Sequence, residues 1–289
     1  MDLTRLALED SLRSFIAEDV GLGDITTNAL VDSRQTGEGL VVCKEDAVIA
    51  GVEEALLLLE LVGCQGKPLA RDGKRVRNGA EILLARGPAR ALLSVERTML
   101  NLLSHMSGIA TLTAELVSIA NKAGGSRVRV AGTRKTIPGL RYFEKKAVEL
   151  GGGDTHRLRL DDAVLIKDNH LALAGPLDES IKKARTKVSF TKKIEVEVTS
   201  PIQAVQAARA GADILLFDNM TPQEARKSVD SLKNNGLRDH VVVEASGGIG
   251  KENIASYAKT GVDVVSVGAI THSAKAIDMS MKIHIARKR

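Results

Sequence analysis

The chain has 289 residues, with 41 Lys and Arg against 36 Asp and Glu, so its formal charge is +5. Hydrophobic residues make up 44% and charged residues 27% of the sequence, a balance that excludes wholesale disorder. The longest uninterrupted aliphatic stretch, Ala55 to Leu59, is far shorter than the ~20 apolar residues that cross a bilayer, so we expect no membrane partner.

The same composition indicates where the protein works and what it binds. The N-terminus lacks the basic start and apolar run of a secretory signal, and Cys43 and Cys64 have no metal-ligand spacing, so we expect free thiols and a cytoplasmic protein. With no Trp, four Phe and two Tyr, base-stacking platforms are scarce, and we expect no nucleic-acid partner. The terminal Arg287-Lys288-Arg289 is interpreted as a solvated tail.

Residues 1 to about 105 predict a mixed α+β module. A helix is predicted from about Leu3 to Ala17, and a second helical run from Ser94 to about Gly124, in which Gly108 marks a break or close packing. Between these helices the apolar patterns predict short elements. They are strands at 39–43, 47–50, 75–76 and 80–84 and a helix at 52–61.

From about residue 127, strands and helices alternate, which indicates a parallel sheet built from βα units. The predicted strands are Val128–Val130, Ala163–Ile166, Ile194–Val198, Asp213–Phe217, Val241–Glu244 and Val264–Val267. The helical candidates are 143–150, 178–187, 202–210, 222–232 and 253–259.

A charged, polar or glycine-rich group follows each of the six strands. Active sites of α/β folds lie at the carboxyl ends of their strands, so we expect these groups to share one site. They are Thr133-Arg134-Lys135, Lys167 to His170, Glu197, Asp218-Asn219, Ser246-Gly247-Gly248 and Gly268-Ala269.

Two strands carry acidic residues. In KIEVEV, side chains alternate, so Glu195 and Glu197 face inward if the apolar residues face the helices. Buried carboxylates need a cation, a metal or a ligand, and an internal salt bridge is the simpler alternative. Glu197 and Asp218 together could hold hydrated Mg²⁺ or sugar hydroxyls, although Asp218 could instead cap the next helix.

The remaining groups suit anions. The small residues of EASGGIG and SVGAITHS let backbone N–H groups approach a phosphate, although tight turns alone would also explain them. Cations fall at or before the ends of the first two strands, which indicates a small polycarboxylate or phosphate. These cations are Arg134, Lys135, His156, Arg157 and Lys167.

The sequence resembles the quinolinate phosphoribosyltransferase family over nearly its whole length. The matching segments, in the family's order, are EDVGLGDITT, ERTMLNLLSHMSGIAT, GTRKTIPGLR, EKKAVELGGGDTHRLRLDDAVLIKDNH, EVEV, LFDNM, EASGGI and GVDVVSVGAITHS. The resemblance implies an α/β fold, in which an N-terminal α/β sandwich domain joins an incomplete parallel α/β barrel of about six strands. It also implies domains at 1–105 and 106–270, with a C-terminal helix at 271–289 joining the first.

The resemblance implies a homodimer in which Arg97 reaches the partner's quinolinate. Lys135, Lys167, Glu197 and Asp218 match the catalytic residues, and Glu197 and Asp218 also match the acids near the ribose and Mg²⁺. The basic pocket for quinolinate corresponds to Arg97, Arg134, Lys135, His156, Arg157 and Lys167, with Thr133 in the same substrate-binding set. The loops that hold the 5-phosphate of phosphoribosyl pyrophosphate correspond to Ser246, Gly247, Gly248, Gly268 and Ala269.

The implied reaction converts quinolinate and phosphoribosyl pyrophosphate to nicotinate mononucleotide, pyrophosphate and CO₂ in de novo NAD biosynthesis. Three alternatives stay open from the sequence. A related molybdenum-associated branch shares much of the pattern and would take another substrate. Lys167 could form the imine of a Schiff-base aldolase, and the basic pI of 9.2 could indicate a nucleic-acid-binding module.

Overall fold

We describe the fold from a computed structural model, in which residues 5–124 and 128–285 are described. The chain forms two compact units. The N-terminal unit comprises Met1–Leu112, Pro138–Gly152 and Ala274–Arg289, and the barrel unit comprises Thr113–Ile137 and Gly153–Ser273. The domain division at residue 105 stays a prediction.

The N-terminal unit is built on an antiparallel sheet with the strand order β12, β1, β5, β3. These strands are β1 (Thr36–Cys43), β3 (Gln65–Pro68), β5 (Glu81–Pro88) and β12 (Met279–Ile285), and β2 (Ala47–Val48) pairs with β4 (Arg75–Val76). The helices are α1 (Arg5–Val20), α2 (Ile25–Leu30), α3 (Val52–Leu61), α5 (Arg141–Leu150) and the first part of α4 (Ala89–Gly124). Alternate residues of β1 are buried, so one face of the sheet packs on the core.

The C-terminal segment is a strand, where a helix over 271–289 was predicted. Met279–Ile285 pairs with β1 along its length, with Met279 opposite Cys43 and Ile285 opposite Gly37. The sequence MSMKIHI alternates apolar and polar residues, which is the period of a half-buried strand and not of a helix. The tail Arg287–Arg289 and the predicted helix start at Leu3 lie outside the described residues.

Helix α4 is continuous for 36 residues and begins five residues before the predicted Ser94. By length and composition alone it could cross a membrane, but half of its most apolar window is buried inside the protein, as in the core helix of a globular fold. Gly108 marks close packing and not a break, because a Cβ added there would overlap the backbone carbonyl of Lys275.

The barrel unit contains a six-stranded parallel sheet with the order β6, β11, β10, β9, β8, β7, which confirms the predicted fold class. Every strand lies within two residues of its predicted bounds. They are β6 (Arg129–Ala131), β7 (Val164–Ile166), β8 (Ile194–Val198), β9 (Ile214–Asp218), β10 (Val242–Ser246) and β11 (Val264–Ser266). The helices are α6 (Asp168–Ala174), α7 (Leu177–Lys187), α8 (Pro201–Arg209), α9 (Pro222–Asn234), α10 (Ile254–Ala258) and α11 (Ala269–His272), with a 3₁₀ turn at Arg238–His240.

Residues 153–163, which we call the closing segment, connect the two edges of this sheet. Asp154 forms a parallel bridge with Ala131 of the edge strand β6, and its amide donates to the carbonyl of Val130 at 2.8 Å. The chain then enters β7, the opposite edge strand. The segment therefore spans the gap that six strands leave in a barrel.

We predict that Gly108→Ala lowers the free energy of unfolding by about 1–3 kcal/mol, because the new methyl group would overlap backbone that cannot move aside easily. At an unobstructed helix position, the same change would instead stabilise by up to about 1 kcal/mol. Urea unfolding monitored by circular dichroism measures the difference. Ser118→Ala, on the exposed side of α4, is the matched control and should change stability by a few tenths of a kcal/mol. A Gly108→Ala protein as stable as the original would contradict the packing argument.

Candidate active site

A cavity of about 510 Å³ lies at the carboxyl ends of the barrel strands. It is lined by all the predicted site residues except Arg97, which is exposed on α4 in the N-terminal unit. The lining residues are Thr133, Arg134, Lys135, His156, Arg157, Leu165, Lys167, Glu197, Leu216, Asp218, Asn219, Glu244, Ser246, Gly247, Gly248, Ile249, Ser266, Gly268, Ala269 and His272.

The loop after β6 supplies two cations. The Thr133 hydroxyl accepts from the amide of Lys135 at 3.1 Å, and the Lys135 carbonyl accepts from Thr271 of α11 at 2.7 Å. These bonds fix the loop backbone. Nε of Arg134 is buried and has no hydrogen-bond partner in the described part of the chain, so an anionic ligand in the cavity would satisfy it.

The closing segment supplies His156 and Arg157. The backbone of His156 is left-handed, with φ 52°, and its amide donates to Oδ1 of Asp154 at 2.7 Å. The Arg157 guanidinium donates to the carbonyl of Ala163 at 3.0 Å. Burial and the neighbouring Arg134 guanidinium lower the pKa of Arg157. Because the positive charges of Arg134 and Arg157 repel each other, a dianion bound between them would be stabilised by both.

The acidic side is formed by the ends of β8 and β9. Glu197 pairs with Lys167, so the simpler salt-bridge expectation and the predicted placement at the site both hold for this residue. Burial raises the pKa of Glu197, and the nearby Asp218 carboxylate adds to the increase, while Lys167 opposes it. Asp218 does not cap α9, because Thr221 accepts from the amide of Glu224 as the N-cap.

Below this layer, His156 meets two buried carboxylates. Its Nε2 lies 3.1 Å from Oε2 of Glu244 and 3.6 Å from Oε1 of Glu195. Burial lowers the pKa of His156, but the two glutamates outweigh it and raise the pKa to about 10. Oε1 of Glu195 has no hydrogen-bond partner within residues 5–124 and 128–285.

The Arg157 amide lies 2.7 Å from Nδ1 of the same ring, a contact that suits a ring without a proton on that nitrogen. A neutral hydrogen bond contributes about 1 kcal/mol, whereas one ion pair at 4 Å gains about 4 kcal/mol at an effective dielectric of 20, before desolvation. The carboxylates therefore decide the direction of the pKa shift. Nε2 carries a proton in both the neutral and the charged state of this ring.

The loops after β10 and β11 bring backbone close to the cavity. Gly247 has φ 101°, and a Cβ there would overlap the Asn219 side chain, so only glycine fits without a shift. Asn219, itself left-handed with φ 53°, donates its amide to the carbonyl of Ser246 at 2.9 Å. Oγ of Ser266 is buried without a hydrogen-bond partner among the residues described, and it lines the cavity.

Sequence reasoning missed three polar residues of the cavity, whereas Asn219, which was predicted together with Asp218, does line it. Glu244 had a visible signal, a carboxylate inside the apolar run VVVEA, and Ser266 interrupts VVSV in the same way. His272, the last residue of α11, gave no comparable signal. Conversely, His170 of the KDNH segment does not line the cavity, and its Nδ1 accepts from the Lys167 amide at the start of α6.

Comparison with known proteins identifies the family. The models for the N-terminal and C-terminal domains of quinolinate phosphoribosyl transferase match residues 24–107 and 109–282. The probable nicotinate-nucleotide pyrophosphorylase (carboxylating) of Methanothermobacter thermautotrophicus is 50% identical over 274 residues, covering 95% of this chain and 98% of the relative. The Mycobacterium leprae nicotinate-nucleotide pyrophosphorylase (carboxylating) is 40% identical over 282 residues, covering 96% and 97%. The crystal structure of NadC from Streptococcus pyogenes matches with a TM-score of 0.91 at 37% identity, covering 99% of this chain and 100% of that one. The chain therefore belongs to the quinolinate phosphoribosyl transferase family.

Proposed function

We propose that the chain is a decarboxylating quinolinate phosphoribosyltransferase of de novo NAD biosynthesis, which forms nicotinate mononucleotide, pyrophosphate and CO₂ from quinolinate and phosphoribosyl pyrophosphate. One observation carries the proposal. A single cavity places a cluster of cations opposite two carboxylates and beside two glycine loops. Few other small-molecule pairs combine a dicarboxylate, a sugar and two kinds of phosphate.

The binding roles follow from charge and geometry. Arg134 and Arg157 would face the two carboxylates of quinolinate, since guanidinium forks match carboxylate oxygens. His156, whose ring nitrogens contact Glu195, Glu244 and the Arg157 amide, would add positive charge to the same wall of the cavity. Lys135 and Lys167 would lie toward the pyrophosphate. Thr133 would hold the basic loop in place. The 5-phosphate would be bound by the backbone of the two loops, at Ser246, Gly247, Gly248, Gly268 and Ala269.

The chemistry needs no nucleophilic side chain. As pyrophosphate leaves C1 of the ribose, Lys135 and Lys167 would stabilise the charge that develops on it. Glu197 and Asp218 would stabilise the oxocarbenium-like ribosyl carbon, which the quinolinate ring nitrogen attacks. The positive pyridinium nitrogen stabilises the electron pair that stays on C2 when the 2-carboxylate leaves as CO₂, and a proton from solvent then binds to C2. Positioning two reactants in one cavity can contribute on the order of 7–11 kcal/mol to such a step.

Glu197 and Asp218 fit a Mg²⁺ ion that arrives with the pyrophosphate substrate. The two carboxylates line the same cavity, and burial, with a smaller contribution from the Asp218 carboxylate, raises the pKa of Glu197. Hard oxygen ligands of this kind are what Mg²⁺ takes in phosphate sites. When bound, the ion would supply charge neutralisation to the departing pyrophosphate.

We also propose a cytoplasmic homodimer with shared sites. Arg97 is exposed on α4, as a residue offered to another subunit would be. Large apolar side chains are also exposed on the same unit, with Leu22, Ile25 and Leu30 all more than two thirds accessible. Covering these side chains with a partner subunit would remove apolar surface from water.

The direct test incubates the protein with quinolinate, phosphoribosyl pyrophosphate and Mg²⁺ and follows nicotinate mononucleotide and CO₂ together. We expect equal amounts of both products. A folded protein that forms neither would overturn the proposed substrate. The molybdenum-associated alternative, which the relatives' names do not favour, would then be tested with other acceptors.

Gly247→Ala should raise KM for phosphoribosyl pyrophosphate at least tenfold, because its methyl group would displace Asn219 and move the loop amides. Steady-state kinetics measures the effect. Gly236→Ala is the control, since Gly236 also has a positive φ (69°) but has open space around it and lies outside the cavity lining. Equal KM values in both variants would count against a phosphate-binding role for this loop.

Arg97→Ala and Lys135→Ala should each be inactive as pure proteins, while their mixture should recover activity. In a two-fold dimer with shared sites, random exchange gives about a quarter of the original sites intact. The assay follows product formation before and after subunit exchange, which native mass spectrometry verifies. Verified exchange without recovery would exclude the shared site.

A further inference from the structure

His156 links two strands that are not neighbours in the sheet. Glu195 lies on β8 and Glu244 on β10, with β9 between them, and the ring nitrogen Nε2 reaches both carboxylates. The two glutamates are 1% and 3% exposed. Buried carboxylates at this depth are expensive, so their position against one imidazole needs a reason beyond stability.

The contacts of His156 with the two glutamates also hold the closing segment, on which His156 lies. Beyond the bridge at Asp154, this segment forms no helix or strand before β7, yet it presents both His156 and Arg157 to the cavity. The His156 ring contacts the glutamates through Nε2 and the Arg157 backbone amide through Nδ1, at 2.7 Å. The ring is therefore a physical connection between the rigid strands and the backbone of Arg157.

We propose that Glu195 and Glu244 are positioning residues, which hold the His156 ring against the strands and thereby fix the direction in which Arg157 enters the cavity. Glu195 does not line the cavity, so it would act only through the ring. The inference rests on the proposed function, and it assigns this buried layer to recognition of the pyridine dicarboxylate.

The same three side chains are also close enough to ligate one metal ion. A metal on Nε2 would displace the proton through which this nitrogen contacts Glu244 at 3.1 Å and Glu195 at 3.6 Å. That exchange removes the direct contacts of the ring with the two glutamates. We therefore favour the linkage over a metal site, and metal binding becomes an outcome of the test.

The kinetic test uses Glu195→Gln, Glu244→Gln and the double variant, with Glu179→Gln on the exposed face of α7 as the matched control. We expect the double variant to raise KM for quinolinate at least tenfold, with less than threefold change in kcat and in KM for phosphoribosyl pyrophosphate. Adding Glu244→Gln to His156→Gln should change KM less than twofold, because the glutamate acts through the ring. A folded double variant with unchanged KM, or additive effects in the His156→Gln background, would overturn the proposal. If the double variant does not fold, KM for quinolinate is compared in the same way for the two single variants, Glu195→Gln and Glu244→Gln.

A second measurement needs no substrate, and so it separates this inference from the proposed function. With histidine labelled in the ring nitrogens, NMR resolves the six histidines, and His156→Gln assigns the signal of interest. We expect Nε2 of His156 to stay protonated from pH 6 to 9, and the imidazole ring to titrate nearer the ordinary histidine range in the double variant. An unprotonated Nε2, or stoichiometric Zn²⁺ or Mn²⁺ binding that Glu195→Gln abolishes, would overturn the linkage. A protonated Nε2 in a protein that ignores quinolinate would instead overturn only the proposed function.

Discussion

Compensation of buried charge organises the interior of the barrel unit. Glu195, Glu197 and Glu244 project from the strands into a region where an unpaired carboxylate would cost several kcal/mol. Their partners come from His156 in the closing segment and Lys167 after β7. The gap between β6 and β7 is therefore bridged by the segment whose histidine compensates part of the charge of Glu195 and Glu244. Closure of the barrel and assembly of the site depend on the same ion pairs.

The sequence predicted the parallel sheet well because two independent signals agreed. Short β-branched runs marked the strands, and polar or glycine-rich residues marked their carboxyl ends. For Glu195 and Glu197 the period of two was enough to place both side chains inward, one layer apart. The rule that parallel strands end at one edge then brought the loop residues together.

Other features depend on contacts that a sequence does not display. Strand β3, with the sequence QGKP, has almost no β propensity, and its position depends on pairing with β5. Strand β12 is different, because its sequence alternates apolar and polar residues, and the prediction of a terminal helix overlooked this pattern. The left-handed residue Asn219 packs against Gly247, a contact between loops 28 residues apart. The role of Arg97 depends on a second subunit, which no pattern within one chain can establish.

The division of the chain into units has a consequence for engineering. The chain passes between the two units four times, and helix α5 of the N-terminal unit separates Arg134 and Lys135 from His156 and Arg157. In the sequence, the two pairs of basic residues of the cavity therefore lie on either side of a segment that belongs to the N-terminal unit. A chimera that exchanges N-terminal units between relatives must transplant three separate segments. No single cut in the chain can separate the two units, because each unit consists of more than one segment.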